Sequence, residues 1–377
     1  MLLKIKILFL FLNDIFFNSS FFVICFLLNK TNKNKLICYS KKKKNNKFKY
    51  NFFFNGFCFF KNLFNSIIIS KKNIYIEFYI IKNDFLGKKM LNLLIYKSIK
   101  NLILLSVDYI GTNIYKKNIK KIFLLIYNKN HFFINNRNHK KIVFIDNKKL
   151  WIGGNNVGNE YISMNPNIKY WNDFHCLIQN VYPNFIPENF NFKKINNNFT
   201  IKKIEICKKY FFLKNNIINF INMIIYFCKK NIFFMSPYII LDLNLIKIIK
   251  ILLKKNIKIK FIVSYKTDNY FIHFSSLIFL KFLTNYKIEI FFLEIGFYHR
   301  KIYLIDETYV CFGSMNFDIR SIYINNECLF IIKDYFFFYK ILNKIKKNFF
   351  PIFINYKKNS FFLKIIYIVS FLNYFIQ

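Results

Sequence analysis

Residues 139–146 have the sequence His-Lys-Lys-Ile-Val-Phe-Ile-Asp, and residues 299–306 have the sequence His-Arg-Lys-Ile-Tyr-Leu-Ile-Asp. Both octapeptides follow the spacing HxKxxxxD, and in both a glycine comes after six further residues, at Gly153 and Gly313. Because the chain contains only five histidines, two matches at identical spacing predict a duplicated functional motif.

The spacing indicates how each motif presents its side chains. Residues two apart in an extended strand point to the same face, so His139 projects with Lys141 and His299 projects with Lys301. Lysine offers a cation to a phosphate oxygen, and the glycine turns that follow let the backbone approach a ligand closely. Further donors, predicted to bind phosphate, are Asn156, Ser314 and Asn316. Two such half-sites facing each other would surround one phosphodiester.

This constellation predicts a two-step displacement at phosphorus. One imidazole attacks the phosphorus and forms a covalent phosphohistidine, while the other protonates the leaving alcohol and later deprotonates the incoming one. The lysine and asparagine groups stabilise charge on the non-bridging oxygens. No metal or cofactor is expected, because the eight cysteines form no CxxC pair and no metal-ligand spacing.

The surrounding sequence predicts an α/β unit that occurs twice. A strand, a helix and a strand are expected at Ile74–Ile81, Leu86–Ser98 and Leu102–Val107, and again at Ile232–Ile240, Leu243–Leu253 and Ile257–Val263. His299 follows His139 by 160 residues, in near register with this repeat. Two copies of one α/β unit are therefore predicted.

Four segments follow from this pattern. They are an apolar and basic N-terminal segment at 1–65, a first repeat at 66–200, a second repeat at 201–350 and an apolar tail at 351–377. Residues 1–28 are a candidate membrane anchor, with a signal peptide or a buried or interfacial segment as alternatives. The basic stretch Lys30–Lys49 would hold the main domain in the cytoplasm. The stretch Pro183–Thr200 is predicted to be a linker.

The net charge of +41 is almost entirely lysine. A bias toward A/T-rich codons accounts for much of this excess, and a basic surface facing anionic lipid is the alternative. The only three arginines, Arg137, Arg300 and Arg320, lie at or beside the two motifs. Nucleic acid is not expected as a partner, since the phenylalanine-rich stretches are better explained as core.

The motifs resemble those of the phospholipase D superfamily, and more closely those of bacterial cardiolipin synthases. The resemblance covers roughly residues 67–332. The matching segments are Ile74–Gly87 (IYIEFYIIKNDFLG), Arg137-Asn138-His139, Trp171–His175 (WNDFH, with asparagine for the usual arginine), Ser236-Pro237-Tyr238 and Gly313–Glu327 (GSMNFDIRSIYINNE). A further departure is Gly154, where many relatives have serine.

The resemblance implies two tandem phospholipase-D-type repeats, each a mixed sheet flanked by helices, with the active site between them. It implies phosphatidyl transfer between two phosphatidylglycerol molecules at a bacterial inner membrane, with hydrolysis or another phosphodiesterase activity as the alternative. The implied catalytic residues are His139, Lys141, Asp146, His299, Lys301 and Asp306. His139 would be the nucleophile and His299 the acid and base. Asp173 would orient His139 and Glu327 would orient His299, each through the other ring nitrogen. Within the motif, Asp146 and Asp306 are expected to hold the geometry rather than to transfer protons.

Overall fold

The computed structural model describes residues 37–39, 49–109, 111–112, 122–127, 137–166, 170–180, 210–214, 224, 228–286, 288–293, 296–346 and 350–351. The candidate anchor at 1–28, the linker Pro183–Thr200 and the apolar run Phe361–Gln377 lie outside these residues. All described residues belong to one compact unit that begins at Leu36. Within the described ranges, no helix is long and apolar enough to span a bilayer.

The first half of the chain forms a mixed sheet with two helices. Its elements are β1 (Ile37–Tyr39), β2 (Tyr50–Asn55), α1 (Gly56–Ile68), β3 (Asn73–Phe78), α2 (Phe85–Lys97), β4 (Leu102–Asp108), β5 (Phe123–Tyr127), β6 (Ile142–Ile145), β7 (Lys149–Gly153) and β8 (Trp171–Gln179). The strands lie in the order β8-β7-β6-β3-β4-β5, with β3, β4 and β5 parallel. Asp84 caps α2 by accepting from the Gly87 N–H group, which fixes the helix start after β3.

The second half repeats this arrangement. Its elements are β9 (Tyr210–Lys214), β10 (Asn231–Met235), β11 (Ile239–Ile240), α3 (Leu243–Lys254), β12 (Lys258–Ser264), α4 (Tyr270–Thr284), β13 (Glu289–Leu293), β14 (Phe297–Tyr298), β15 (Ile302–Ile305), β16 (Tyr309–Gly313), β17 (Phe317–Asp318), β18 (Cys328–Lys333), α5 (Tyr335–Lys346) and β19 (Phe350–Pro351). The sheet runs β1-β9-β18-β16-β15-β10-β12-β13-β19, and β10, β12 and β13 are parallel. The predicted duplicated α/β fold is therefore confirmed.

The two sheets pack face to face, with α1 to α4 on the outer faces and α5 packed into the core that the sheets share. One core cluster contains Phe144 and Phe174 from the first sheet together with Leu304 and Phe330 from the second. Separate clusters lie between the first sheet and α1 and α2, and between the second sheet and α3 and α4. Burial of apolar surface on both faces explains why the central strands read as nearly continuous hydrophobic runs.

One short strand crosses from the second half into the first sheet. Strand β14 pairs with β8 in parallel, with Phe297 opposite Trp171 and Tyr298 opposite Asn172. At the equivalent place in the first half, Asn138 forms a single β-bridge with Asn326 of the second half. The residues just before each histidine are thus held by the other half of the molecule.

The predicted boundaries need two corrections. The first repeat begins before residue 66, because β2 pairs with β8 and α1 packs into the core of the first sheet. The strand predicted at Ile232–Ile240 is divided into β10 and β11, since the Ser236 hydroxyl bonds to the Tyr238 carbonyl at 2.8 Å and the chain turns there. Proline at the intervening position has no N–H group for a strand ladder.

Asp146 and Asp306 hold turns together. The Asp146 carboxylate accepts backbone N–H bonds from residues 71–73, and the Asp306 carboxylate accepts them from residues 229–231. Each aspartate has a positive φ, 52° and 49°, and follows the strand that separates it from its histidine. Four strand residues span about 13 Å, so the contacts of these aspartates favour the expected role in holding the motif's geometry over a catalytic one.

Replacing Asp146 with asparagine should therefore destabilise the protein. Loss of a charged acceptor for three backbone donors is expected to lower the free energy of unfolding by about 1–3 kcal/mol, with turnover per folded molecule retained. Chemical denaturation monitored by fluorescence measures the change, and Asp306→Asn is the matched control with the same expected result. A folded variant with turnover as low as that of a His139 variant would return Asp146 to the catalytic group.

Candidate active site

The two motif histidines each bind a buried acid from the other half of the chain. The His139 Nδ1 atom lies 2.8 Å from the Glu327 Oε1 atom, and the His299 Nδ1 atom lies 2.7 Å from the Asp173 Oδ2 atom. All four side chains are buried or nearly so. The pairing crosses between halves, so the expected pairing of Asp173 with His139 and of Glu327 with His299 is wrong.

Backbone hydrogen bonds explain the crossed pairing. The His139 N–H group donates to the Asn326 carbonyl at 3.0 Å, and the His299 N–H group donates to the Asn172 carbonyl at 2.8 Å. Each asparagine directly precedes the acid of its half. Docking the backbone before the histidine onto the other half therefore brings the imidazole to that acid.

The two carboxylates determine which ring nitrogen of each imidazole carries a proton. An Nδ1–H group that donates to Glu327 leaves the Nε2 lone pair of His139 available for chemistry. The Nε2 atom of His299 instead lies 2.8 Å from the Lys301 Nζ atom. Burial lowers the pKa of His139 to about 4, against the opposing effect of Glu327. Burial, reinforced by Lys301, lowers the pKa of His299 to about 3. Both imidazoles are therefore neutral at neutral pH.

The motif lysines are buried cations. The Lys141 Nζ atom donates to the His139 carbonyl at 2.5 Å, and the Lys301 Nζ atom donates to the His299 carbonyl at 2.6 Å. Burial lowers the pKa of Lys141 to about 7 and that of Lys301 to about 8, although Glu327 and Asp173 favour the charged forms. Two desolvated ammonium groups beside neutral imidazoles form a site suited to an anion such as a phosphodiester.

The predicted phosphate donors are placed differently from one another. The Ser314 hydroxyl donates to the Glu327 Oε2 atom and accepts the Cys328 N–H bond at 3.0 Å, so it positions the acid. The Asn156 amide accepts from the Ile80 N–H group at 3.3 Å and donates to the Tyr161 hydroxyl at 2.9 Å. A phosphate-binding role for these two is corrected to a structural one.

The third predicted donor remains a candidate for phosphate binding. Asn316 is only 9% exposed. Its Oδ1 atom has no hydrogen-bond partner within the described part of the protein.

The structure explains the glycine that departs from the usual serine. Gly154 occupies the position equivalent to Ser314, since the N–H groups of both donate to the strand carbonyl after the orienting acid. A Cβ atom at Gly154 would lie 2.2 Å from the Asp173 Oδ1 atom. The close approach of the acid leaves no room for a side chain in this half-site.

Each motif histidine has an aromatic ring beside it, and the sequence did not predict these two contacts. Tyr79 meets the His139 ring edge-on with centroids 5.1 Å apart, and Trp171 lies 5.1 Å from the His299 ring. The Lys141 Nζ atom lies 5.4 Å from the centre of the Tyr79 ring. The scarcity of tryptophan, at two residues in the chain, was the available signal for Trp171.

The asparagine that replaces the usual arginine also has a defined contact. The Arg300 Nε atom donates to the Asn172 Oδ1 atom at 2.7 Å. The Arg300 guanidinium lies 4.0 Å from the centre of the Phe54 ring and 4.9 Å from that of Tyr298. This arginine therefore stabilises the crossing strand β14 against β8.

The lysine pKa values predict how activity depends on pH. Lys141 and Lys301 are charged below their depressed pKa values of about 7 and 8 and neutral above them. The value of kcat/KM should therefore fall as pH rises through 7 to 8, because attraction for the phosphodiester anion is lost. The value of kcat should fall only at higher pH, since a bound anion stabilises the ammonium groups.

Initial rates at constant ionic strength across this range test that expectation. The matched control is Lys82→Gln, which removes a half-exposed lysine that is ion-paired with Glu160 at 2.6 Å. The control should show the same fall of kcat/KM as pH rises through 7 to 8. A wild-type kcat/KM that stays flat to pH 9 would contradict the assignment of this fall to the two buried lysines.

The chain is similar in sequence to curated cardiolipin synthases. Residues 221–350 match the family described as "Cardiolipin synthase, PLD-like domain". A cardiolipin synthase of Clostridium perfringens strain SM101 is 30% identical over 309 residues, which cover 73% of this chain and 65% of that relative. The major cardiolipin synthase ClsA of Bacillus subtilis is 25% identical, over 77% of this chain and 66% of that relative. The chain thus spans slightly less than two thirds of these relatives' length.

Solved structures share the fold at low sequence identity. The phosphatidylserine synthase of Haemophilus influenzae has a TM-score of 0.67 at 15% identity, covering 92% of this chain and 96% of that protein. A polyphosphate kinase of Porphyromonas gingivalis has a TM-score of 0.54 at 11% identity, covering 88% of this chain and 54% of that protein. At such identities the likeness establishes the architecture.

Proposed function

Since the chain belongs to the phospholipase D superfamily, within the family of the cardiolipin synthases, we propose that it transfers a phosphatidyl group between two phosphatidylglycerol molecules. The products are cardiolipin and glycerol. The observation that carries the proposal is the pair of histidines, each bound through Nδ1 to a buried acid of the other half, beside two buried lysines.

In the first step the His139 Nε2 atom attacks the phosphorus of one phosphatidylglycerol. The bond between phosphorus and the glycerol oxygen breaks as the N–P bond forms, and protonated His299 gives its proton to that oxygen. Lys141 and Lys301 stabilise the charge on the non-bridging oxygens. Binding of the phosphodiester anion favours protonation of His299, which offsets the depressed pKa of that imidazole.

In the second step a hydroxyl of another phosphatidylglycerol attacks the phosphohistidine. Neutral His299 removes the hydroxyl proton as the new P–O bond forms and the N–P bond breaks. Glu327 and Asp173 hold the two rings in place and stabilise the cationic imidazoles by accepting their Nδ1–H bonds. The same two steps with water as acceptor would give hydrolysis.

The proposed setting is an anionic membrane surface. Two exposed tyrosines, Tyr109 and Tyr265, come directly after the carboxyl ends of β4 and β12. Two more exposed aromatic residues, Phe85 and Tyr270, are the first residues of α2 and α4. These strand ends lie toward the site, since Tyr79 just beyond β3 packs on His139. Co-sedimentation with vesicles containing phosphatidylglycerol tests this contact, and equal sedimentation with neutral vesicles would contradict the anionic preference.

We also propose a bacterial inner-membrane location with the catalytic unit in the cytoplasm. The basic stretch Lys30–Lys49 supports that orientation through the positive-inside rule. Protease treatment of intact spheroplasts distinguishes the two sides. A catalytic unit cleaved while the inner membrane remains sealed would place it outside the cytoplasm.

The activity itself is tested in a bacterial strain that lacks all cardiolipin synthases. Membrane cardiolipin is measured after expression of the wild-type chain and of His139→Ala. Cardiolipin that appears only with intact His139 is the expected result. Phosphatidic acid in place of cardiolipin would favour the hydrolytic alternative, and no change in lipid despite folded, membrane-bound protein would reject both.

A further inference from the structure

A buried carboxylate lies beneath the first motif and holds both neighbours of His139. Glu77 on β3 is fully buried. Its Oε1 atom accepts from the Asn138 Nδ2 atom at 2.8 Å and lies 3.3 Å from the Lys140 Nζ atom. The Tyr75 hydroxyl donates to the Oε2 atom at 2.6 Å. One side chain thus fixes the residues on either side of the proposed nucleophile.

A second strand fixes the same segment through its backbone. The Asn138 N–H group donates to the Asp108 Oδ2 atom at 3.0 Å, and Asp108 ends β4. The His139 N–H group in turn donates to Asn326 at 3.0 Å. The backbone before the His139 side chain is therefore constrained from β3, from β4 and from the other half of the chain.

The other half-site has no such carboxylate. Glu77 pairs with Ile142 at the start of β6, and the equivalent residue Met235 pairs with Ile302 at the start of β15. Likewise Tyr298 takes the place of Asn138, and its N–H group donates to the Ser264 hydroxyl at 3.0 Å. The repeat can thus be built with an apolar residue at this position of the strand.

Burying the charges of Glu77 and Lys140 costs desolvation free energy, and burying the equivalent Met235 does not. Burial raises the pKa of Glu77, but Lys140 and the hydrogen bonds of Tyr75 and Asn138 outweigh that effect, so the pKa lies below its ordinary value and the group is charged. A buried ion pair adds little to stability compared with packed apolar groups. The pair occupies a position at which the described second half has the apolar residue Met235, which indicates a role specific to the half-site of His139.

We propose that Glu77 is a positioning residue that holds His139 in line with the phosphorus through Asn138 and Lys140. This proposal rests on the proposed function only in assigning His139 as the nucleophile. A nucleophile forms a bond to phosphorus along one direction, so a small displacement of its backbone costs rate steeply. The imidazole of His299, which only transfers protons, tolerates a less precisely fixed position.

The decisive variant is the double substitution Glu77→Met with Lys140→Met. It reproduces the apolar residue of the second half and removes both charges of the ion pair. The Tyr75 hydroxyl and the Asn138 amide lose their shared acceptor, so the thermal unfolding midpoint should fall below that of the wild type while the protein stays folded at the assay temperature. Turnover of bis(p-nitrophenyl) phosphate, a chromogenic phosphodiester, should nevertheless fall about 100-fold in kcat with little change in KM. The single variant Asn138→Ser leaves the ion pair in place and should lower kcat in the same direction.

A matched control removes a different ion pair. Lys260→Gln with Glu289→Gln eliminates the surface pair joining β12 and β13, whose Nζ and Oε2 atoms lie 2.7 Å apart. The control should keep wild-type kcat. Wild-type kcat in the folded double variant, or in Asn138→Ser where the double variant does not fold, would overturn the positioning role and leave Glu77 as core structure.

The chromogenic assay separates this inference from the proposed function. The assay requires neither phosphatidylglycerol nor an acceptor lipid. Cleavage by the wild type without cardiolipin synthesis in cells would reject the proposed function, while a loss of kcat in the variants would still support Glu77. Where the folded wild type does not cleave this ester, the variants are compared by cardiolipin formed in cells, and wild-type levels in both the double variant and Asn138→Ser would overturn the positioning role.

Discussion

Replacing His139 with alanine is expected to abolish turnover, with a loss of at least about 10,000-fold. The imidazole supplies the atom that bonds to phosphorus in the first step. After incubation with phosphatidylglycerol labelled at phosphorus and an alkaline quench, the wild type should carry acid-labile label and the variant should carry none.

A second histidine substitution provides the control for that experiment. His273 lies on α4 and contacts Phe274 rather than either buried acid, so His273→Ala should keep label and turnover near those of the wild type. Covalent label on His139→Ala at the wild-type level would contradict the nucleophile assignment. The thermal unfolding midpoint of each variant shows whether a loss of label reflects unfolding.

The sequence predicted the chemistry of the site better than its assembly. Spacing alone brought His139 to Lys141 and His299 to Lys301, because strand periodicity is a local property. The crossing of the acids could not be predicted, since it depends on β14 leaving its own half to pair with β8. No local pattern encodes which half of a duplicated fold will complete the other.

The errors at the site have a shared physical origin. Ser314 and Asn156 have the donors that phosphate requires, but the fold uses these donors on Glu327 and on Tyr161. Asp146 was grouped with the catalytic residues because it belongs to the motif. A motif records which residues occur together and does not distinguish a group that meets the substrate from one that closes a turn.

Conversion of His299 to alanine should separate the two steps of the reaction. With a phosphatidylglycerol substrate the first step should slow by about 100- to 10,000-fold, since the glycerol oxygen would leave unprotonated. With bis(p-nitrophenyl) phosphate the leaving group needs no proton, so His139 should still be phosphorylated. The second step should remain slow with either substrate, because no group would remove the proton of the incoming water or alcohol.

The expected signature is a burst of nitrophenolate about equal to the enzyme concentration, followed by a slow steady rate and lasting accumulation of phosphoenzyme. Rapid-mixing absorbance measures the burst. Asp173→Asn should give a weaker form of the same burst, because Asp173 contacts His299, whereas Glu327→Gln should reduce the burst itself, because Glu327 contacts His139. A burst in His139→Ala and none in His299→Ala would reverse the two roles. The crossed contacts would then require the effects of the two acid variants to reverse as well, so the four variants test the assignment together.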